Sequence, residues 1–356
     1  MAPFLEKHTH IHASKKLKHV QACLLPESQY EKTTGLEHVE LMSQSAAGLS
    51  LDDISLSTTF LGHKLKAPLM IAPMTGGTEL GRMLNERWAR AAEHFGIAFG
   101  VGSQRLALFD ESARQSFLVR QQAPHAFIIA NLGIAQLLKE DAVSLALRAV
   151  SMIEANALYI HLNPLQEACQ QGGDRSFVGI HQALKKVCAA LGKYNIPVLA
   201  REVGFGLSKE AASILIDCGI SGIDCAGAGG TSWTKVESLC AQEESYKRLG
   251  AVFGEWGIPT ASSIKNVRKI NKTIPLVAVG GIRTGLDVAK CLALSAHVVG
   301  MAQPMLEKAI KSEDELFRFI EQIMLELKVA MLASGAQSIA DLPAALAAFS
   351  DSEHRP

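Results

Sequence analysis

The stretch IPLVAVGGIRTGLDVAKCLALSAHVVGMAQP, residues 274–304, contains one complete strand–helix–strand unit. It begins with an apolar run that ends in two glycines, and it closes with a second apolar run that ends near Gln303. Between these runs an amphipathic segment follows Thr284, whose hydroxyl can cap the first turn of a helix. Alternation of this kind is typical of parallel strands joined by helices, so the stretch predicts a βαβ unit.

The same alternation recurs between residues 66 and 310. The eight apolar runs are LKAPLMIAPMTGG, FGIAFGVGSQR, HAFIIANLG, ALYIHLN, IPVLAREVG, GIDCAGAGGT, IPLVAVGGIR and AHVVGMAQP. Amphipathic segments lie between them, such as the one that Ser208 begins and Gly219 ends. Eight such repeats favour an α/β fold of the (β/α)8 TIM barrel class over an open doubly wound sheet.

We expect one large domain with additions at both ends. Residues 1–65 predict an N-terminal extension with a hairpin around Gly62 that plugs the barrel bottom. Residues 66–333 would form the barrel, with a long amphipathic helix from residue 313, and residues 334–356 a polar-ended C-terminal tail. The longest gap between strands includes residues 232–256, which we interpret as a loop insertion that could act as a lid.

Composition excludes several classes of protein. The 356 residues include 35 Lys plus Arg and 35 Asp plus Glu, which argues against broad binding to nucleic acid or acidic membranes. The seven cysteines are scattered, without a CxxC pair or a secretory leader at MAPFLEKH, so we expect reduced thiols in a cytoplasmic protein. The sequence contains no run of 18 apolar residues, so it predicts no membrane span.

Three histidines alternate near the N-terminus, at His8, His10 and His12. In an extended segment they could chelate a metal. Termini are usually poorly ordered, and no fourth ligand is nearby in the sequence, so a structureless segment is the favoured interpretation.

Polar residues and glycines concentrate at the C-terminal ends of the predicted strands, where TIM barrels carry their functional residues. In strand order the candidates are Met74, Thr75 and Gly76; Ser103, Gln104 and Arg105; Asn131; His161, Asn163, Gln166 and Glu167; Arg201; Thr231; Gly281 and Arg283; and Ala302 and Gln303.

The turns GAGGT (227–231) and GGIRTG (280–285) predict a phosphate site, because glycines let backbone N–H groups approach an anion. Glycines also permit tight turns for structural reasons, which is the alternative. Thr75, Ser103 and Asn131 could bond the polar edge of a flavin, and Arg201 could place a cation near its N1. Alternatively, each of these polar groups caps a strand or helix.

The motifs MTGG, GSQR, NLG, HLNPLQE, an Arg before EVG, GAGGT and GGIRTG occur in this order. Together they resemble the type 2 isopentenyl diphosphate isomerases, flavin enzymes related to the FMN-dependent α-hydroxyacid oxidases. The resemblance extends from about Lys15 to the end of the barrel, and GSQR and HLNxxQE are specific to the isomerases. It implies a cytosolic homo-oligomer, a tetramer or octamer, that interconverts isopentenyl and dimethylallyl diphosphates by a 1,3-allylic proton shift. It also implies FMN, Mg²⁺ and NADPH, the last only to reduce the flavin.

The resemblance also assigns roles to the candidate residues. The substrate diphosphate would contact Lys15, Lys16, Ser103, Gln104, Arg105, His161, Asn163 and Gln166. FMN would contact Met74, Thr75, Gly76, Ser103, Asn131, Arg201, Thr231, Gly281, Arg283, Ala302 and Gln303. Glu167 would bind Mg²⁺, and Gln166 and His161 would be catalytic, Gln166 only as a positioning group or a relay through water.

Three positions depart from the family pattern. Lys15 stands where the family usually has Arg, Arg201 where it usually has Lys, and Ala226 where Ser is common. Lys15 keeps the charge without the bidentate fork, Arg201 is larger and stays protonated, and Ala226 removes one hydrogen bond. We predict that FMN binding persists.

Three alternatives to the isomerase are less favoured by the sequence. A 2-hydroxyacid oxidoreductase would need a histidine late in the barrel, but after His181 the next one is His297, at the start of strand eight. A nucleotide oxidoreductase would need a nucleophilic cysteine, and neither Cys225 nor Cys169 is well placed. A non-catalytic flavin-binding protein is favoured only by the three departures from the family pattern.

Overall fold

The computed structural model describes residues 15–139 and 141–349. Its strands are β1 Val39–Leu41, β2 Thr58–Phe60, β3 His63–Leu65, β4 Leu69–Ile71, β5 Ala98–Gly100, β6 Ile128–Gly133, β7 Ala157–Leu162, β8 Val198–Glu202, β9 Gly222–Asp224, β10 Leu276–Ala278, β11 Val298–Met301 and β12 Leu346–Phe349. Strands β4 to β11 pair in sequence order and in parallel, and β11 returns to β4 with Val299 opposite Leu69. The predicted eight-stranded TIM barrel is therefore confirmed.

The helices surround this barrel. Residues 15–23 are helical and are called α1. The others are α2 Glu79–Phe95, α3 Glu111–Arg114, α4 Ile134–Leu137, α5 Ala142–Met152, α6 Pro164–Cys169, α7 Ile180–Gly192, α8 Lys209–Asp217, α9 Trp233–Cys240, α10 Glu244–Val252, α11 Thr260–Ile270, α12 Gly285–Ala293, α13 Gln303–Lys311 and α14 Glu313–Ser334. Short 3-10 turns occur at Pro26–Ser28, Leu36–His38, Leu51–Asp53, Leu106–Leu108, Gln115–Phe117 and Ile339–Ala345.

The helix signals in the sequence have the expected local causes. The Ser208 side chain accepts a hydrogen bond from the N–H of Ala211 at the start of α8, and Gly219 follows that helix with a φ of 84°. Thr284 and Asp287 form a reciprocal capping box at the start of α12. These caps fix where each helix begins beyond a strand end, and therefore where the connecting loop can lie.

The hairpin β2–β3 closes the bottom of the barrel, as predicted. Gly62 forms its turn with a φ of 84°, and Phe60 pairs with His63. Phe60 and Leu65 join the apolar cluster inside the barrel, and the Phe60 ring meets the ring of Phe127 edge to face at 5.8 Å. The open end of the barrel is consequently the opposite one, where the strands have their C-termini.

Two segments outside the barrel differ from expectation. Residues 232–256 are not a loop, because most of them form α9 and α10, which pack against each other. The helical pattern was obscured by Glu237, a charged residue at a buried position of α9. The C-terminal segment folds onto the extension, since Phe349 of β12 pairs antiparallel with Val39 of β1.

Other expectations concern cysteines, membranes and the N-terminal histidines. All seven cysteines lie within the described residues and form no disulfide. In the part of the chain that the structure describes, no helix is both long and apolar enough to span a membrane. His8, His10 and His12 lie outside the described residues.

Candidate active site

A cavity of about 300 Å³ lies at the C-terminal end of the barrel, between the strand ends, α1 and α9. Most of the candidate residues line it: Lys15, Lys16, Met74, Thr75, Ser103, Arg105, Asn131, His161, Asn163, Gln166, Glu167, Arg201, Thr231, Gly281, Arg283, Ala302 and Gln303. The strand-end pattern therefore brings together side chains from positions up to about 290 residues apart, as expected for a barrel.

Gln104 and Gly76 are the exceptions, because neither lines the cavity. The Gln104 side chain is buried, donates to the carbonyl of Ala149 at 2.9 Å and accepts from the N–H of Asn131 at 2.9 Å. It therefore holds α5 against β6, which corrects its assignment to the substrate. Gly76 contributes through its carbonyl, which accepts from Lys16.

His161 is held in one tautomer by its neighbour. Its Nδ1 lies 2.9 Å from Oδ1 of Asn131, whose own amide donates to the carbonyl of Val101 at 3.1 Å. Since Asn131 presents an oxygen, Nδ1 is the donor and Nε2 carries the lone pair. Burial, together with the nearby charge of Arg201, lowers the pKa of His161 to about 3. The ring is therefore neutral at physiological pH.

The turn after β7 arranges three polar side chains around one helix start. Pro164 begins α6, so Asn163, Gln166 and Glu167 follow one another at the spacing of a helical turn. Asn163 donates to Oε1 of Glu167 at 3.2 Å, and the N–H of Asp174 donates to Oε2 at 2.8 Å. These bonds hold the carboxylate of Glu167 toward the cavity without an ion pair.

Glu237 lies directly behind the cavity lining and was not predicted from the sequence. Its side chain is almost fully buried, accepts from Nε2 of Gln166 at 2.9 Å and lies 3.4 Å from Nε2 of His19. Trp233, Glu237 and Cys240 fall at i, i+4 and i+7, the spacing of one helix face, and this is the signal that could have found it. A buried carboxylate without a full counter-charge is costly and is often functional.

Three cationic side chains line one part of the cavity. Nζ of Lys16 donates to the carbonyls of Gly76 at 2.6 Å and Ser103 at 3.3 Å. Burial lowers the pKa of Lys16 to about 7, and Arg105 contributes in the same direction. Burial also lowers the pKa of Lys15, against the opposing effect of Glu237. Within the described residues none of these three cations forms an ion pair, so the cluster suits an anion.

The glycine-rich turns form a second anion-binding feature. A Cβ on Gly230 would lie 2.6 Å from the backbone N of Gly281, so the two turns touch only because both lack side chains. Arg283 lies beside them and donates to Oε1 of Gln29 at 3.1 Å and to the carbonyl of Ile282 at 3.0 Å. Asp287 and Glu307 are near enough to oppose the lowering of the Arg283 pKa by burial. Backbone N–H groups beside a guanidinium fit a phosphate.

The histidine and cysteines that two alternative functions would use are not suited to them. His297 lies at the start of β11, where its Nδ1 is 3.1 Å from the N–H of Leu276 and 3.0 Å from Arg268. Cys23 lines the cavity, but burial raises its pKa to about 12. Burial raises the pKa of Cys225 to about 12 as well, so neither cysteine is a thiolate nucleophile at neutral pH.

Metal-binding groups are few. Within the described residues no cluster of three or more His, Cys, Asp or Glu side chains could hold a metal ion by itself. An ion at Glu167 would therefore need ligands from a bound anion or from water. Mg²⁺ commonly binds in this way, through one or two carboxylates together with phosphate oxygens.

Comparison with known proteins identifies close relatives over nearly the whole chain. The isopentenyl-diphosphate delta-isomerase of Nostoc sp. is 42% identical over 330 residues, which cover 92% of this chain and 93% of that protein. The enzyme of the same name from Synechococcus sp. is 44% identical over 316 residues, 88% of this chain and 90% of that protein. That of Methanocaldococcus jannaschii is 39% identical over 331 residues, 92% of each.

Solved structures and a family profile agree with the barrel. A lactate oxidase from Pediococcus acidilactici superposes with a TM-score of 0.65 at 16% identity, over 87% of this chain and 83% of that chain. A mandelate oxidase mutant with an FMN adduct has a TM-score of 0.60 at 18% identity, over 90% of each chain. At this identity the likeness shows the fold alone. The FMN-dependent dehydrogenase profile matches residues 26–155 and 186–348. With the isomerase relatives at 39 to 44% identity, the chain belongs to the FMN-dependent, type 2 isopentenyl-diphosphate delta-isomerase family.

Proposed function

We propose that this protein interconverts isopentenyl diphosphate and dimethylallyl diphosphate by a 1,3-allylic proton shift that uses reduced FMN and Mg²⁺. The observation that carries the proposal is the pairing of two anion-binding features in one cavity. Beside Glu167, Lys15, Lys16 and Arg105 provide basic side chains without an ion-pair partner among the described residues, and the glycine turns provide a second site beside Arg283. A diphosphate and the phosphate of FMN require two such sites.

The residues present fit FMN. The contact between Gly230 and Gly281, with Arg283 beside it, would take the FMN phosphate. Thr75, Ser103 and Asn131 would bond the ring system, and Arg201 would face its N1 edge. The other residues proposed to contact FMN are Met74, Gly76, Thr231, Ala302 and Gln303. Reduced FMN would supply proton transfer at its N5 edge, with NADPH needed only to reduce it.

The diphosphate would be bound as a complex with Mg²⁺. Glu167 offers a carboxylate oriented by Asn163 and by the N–H of Asp174, and the substrate and water would complete the coordination. Lys15, Lys16, Ser103, Arg105 and His161 are the proposed substrate contacts beside Asn163 and Gln166. Gln104 is left out of this set, because its side chain does not reach the cavity.

Proton movement needs an acid and a base but no nucleophile. The Gln166 amide cannot titrate near neutral pH, so its proposed role is to position a reacting group. Glu237, which accepts a hydrogen bond from Nε2 of Gln166, would hold that amide in place. His161 is neutral and orients the substrate through its Nε2 side. The net proton shift converts one isomer into another and is therefore redox-neutral.

The working form would be a cytoplasmic homo-oligomer, a tetramer or octamer, with a small-molecule diphosphate as its partner. Neither nucleic acid nor membrane is part of the proposal. The equal numbers of acidic and basic residues agree with a locally rather than globally charged binding surface.

Proton NMR of isopentenyl diphosphate in D₂O tests the proposal directly. Purified protein, FMN, Mg²⁺ and excess NADPH under anaerobic conditions should give deuterated dimethylallyl diphosphate. Product should be absent without reductant and in Glu167→Ala, whereas Glu210→Gln, a change on the exposed start of α8, should retain full activity. An unchanged spectrum from a yellow, folded protein would refute the isomerase function. Turnover of lactate or glycolate in parallel would favour an oxidoreductase instead.

A further inference from the structure

A buried ion pair connects the neighbouring strands β8 and β9 below the cavity. Arg201 and Asp224 are opposite each other in the strand register, and Nη1 of Arg201 donates to Oδ2 of Asp224 at 2.9 Å. Arg201 lines the cavity, whereas Asp224 is fully buried and does not. Asp224 can therefore influence a ligand in the cavity only from behind Arg201.

The Asp224 carboxylate is itself fixed by several neighbours. Its Oδ1 accepts from the N–H of Ala226 at 3.2 Å, and the hydroxyl of Tyr159 lies beside it. The guanidinium carbon of Arg201 lies 5.6 Å from the centre of the Tyr159 ring. Burial raises the pKa of Asp224, while Arg201, the Ala226 N–H and Tyr159 all lower it. These contacts leave the guanidinium little freedom to rotate.

Most of the Arg201 guanidinium remains available to a ligand. Among residues 15–139 and 141–349, Asp224 is its only hydrogen-bond acceptor, and that bond uses one of five N–H groups. The remaining groups belong to a side chain that borders the cavity. A planar fork anchored at one corner presents its free edge in one direction.

We infer that Asp224 is a positioning residue for the flavin: it orients Arg201 toward the pyrimidine edge of FMN and offsets part of its positive charge, which lowers the reduction potential of the bound cofactor. The inference rests on the proposed function, because it requires FMN in this cavity. A cation near N1 stabilises the anionic reduced flavin. A carboxylate paired with that cation weakens this stabilisation, since its charge opposes the guanidinium at nearly the same distance.

A purely structural ion pair would have a different signature. Its loss would lower stability and FMN occupancy without a preference between the oxidised and reduced cofactor. Loss of a charge that acts on the flavin would change the two affinities unequally. The ratio of these two affinities sets the shift of the midpoint potential of bound FMN from that of free FMN. Potentiometry therefore separates the two roles.

The experiment measures the anaerobic midpoint potential of FMN bound to the full-length protein at one fixed pH, with Asp224→Asn and Asp224→Ser as variants. Both should favour reduced over oxidised FMN about tenfold more than the wild type does, a shift of about +30 mV for a two-electron couple. Asp224→Ser serves if Asp224→Asn fails to fold, because water can fill the space and solvate Arg201. Asp217→Asn removes an exposed carboxylate of α8 and should leave the potential unchanged.

A double variant shows whether the effect passes through Arg201. In an Arg201→Met background the isolated buried carboxyl would be protonated, so replacing Asp224 should shift the potential far less than tenfold. Wild-type potentials in both Asp224 variants, with FMN bound, would overturn the inference. An equal shift in the Arg201→Met background would also overturn it. Wild-type protein that binds FMN but does not isomerise the substrate would contradict only the proposed function.

Discussion

Binding of a diphosphate should draw a proton onto Lys16. The side chain has a pKa of about 7, because burial penalises its charge and Arg105 is close. A diphosphate places at least two negative charges beside Nζ and should return the pKa to its usual range near 10.5. At pH 8 a group with a pKa of about 7 is only about 10% protonated, so binding should take up about 0.9 proton.

Calorimetry can count this proton. Isopentenyl diphosphate is titrated into FMN-loaded protein with the flavin left oxidised, so that no turnover occurs, in buffers with different enthalpies of ionisation. The slope of the observed enthalpy against buffer enthalpy gives the proton uptake. Above pH 7 the apparent affinity should also weaken about tenfold per pH unit, because each unit adds about 1.4 kcal/mol to the cost of protonation.

Two variants make the test specific. Lys16→Arg keeps a permanent positive charge, so its proton uptake at pH 8 should fall to nearly zero and its affinity should lose the pH dependence. Lys18→Arg, on the exposed side of α1, should behave as the wild type does. Equal uptake in the wild type and Lys16→Arg would refute the assignment of the proton to Lys16.

Three other outcomes are expected. Glu237→Gln should keep FMN and substrate binding within a few-fold but lower kcat by about 10², measured by the NMR assay, because the carboxylate that holds the Gln166 amide is lost. His161 stays neutral in the folded protein, since its pKa is lowered to about 3. The contribution of this neutral ring to the free energy of unfolding is fully present above pH 6.5 and is lost as the pH falls toward 3. Between pH 7.5 and 5 denaturant titration should therefore show a loss of about 2 kcal/mol that His161→Gln lacks. Gly281→Ala should lower the free energy of unfolding by about 1–3 kcal/mol and abolish FMN binding, because the φ of Gly281 is +70° and a Cβ would collide with Thr34. Gly192→Ala is the control: it lies in open space on α7 and should not destabilise the protein.

The barrel was predictable because its strands are short, apolar and bounded by glycines or polar residues. Each strand is buried on both faces, so the runs stand out from the amphipathic helices without any knowledge of pairing. The positions of the site residues followed from one rule, that parallel strands carry their C-terminal ends to one face. That rule identifies which loops meet but not which way each side chain points.

Two side chains, those of Gln104 and Glu237, were not predicted correctly, and each case has a physical cause. Ser103 and Arg105 line the cavity while Gln104 points away, because its amide bonds the backbone of Ala149 and Asn131 in the loop beyond the end of β5. The spacing of Trp233, Glu237 and Cys240 could have placed Glu237 on one face of a helix, but it does not show that α1 and Gln166 cover that carboxylate. Such information lies in long-range packing and cannot be read from a window of sequence.

The pairing of β1 with β12 can form only at the end of synthesis. Among the described strands β1 is made first and β12 last, about 300 residues later, which is about 15–60 s of translation. Through that interval Val39 and its neighbours have no partner strand, so the nascent chain exposes an unpaired edge. Contacts of such high sequence separation form slowly. Since β1 and β12 finally lie side by side, a circular permutant that joins residues near 39 and 349 through a short linker and opens elsewhere would remove this delay.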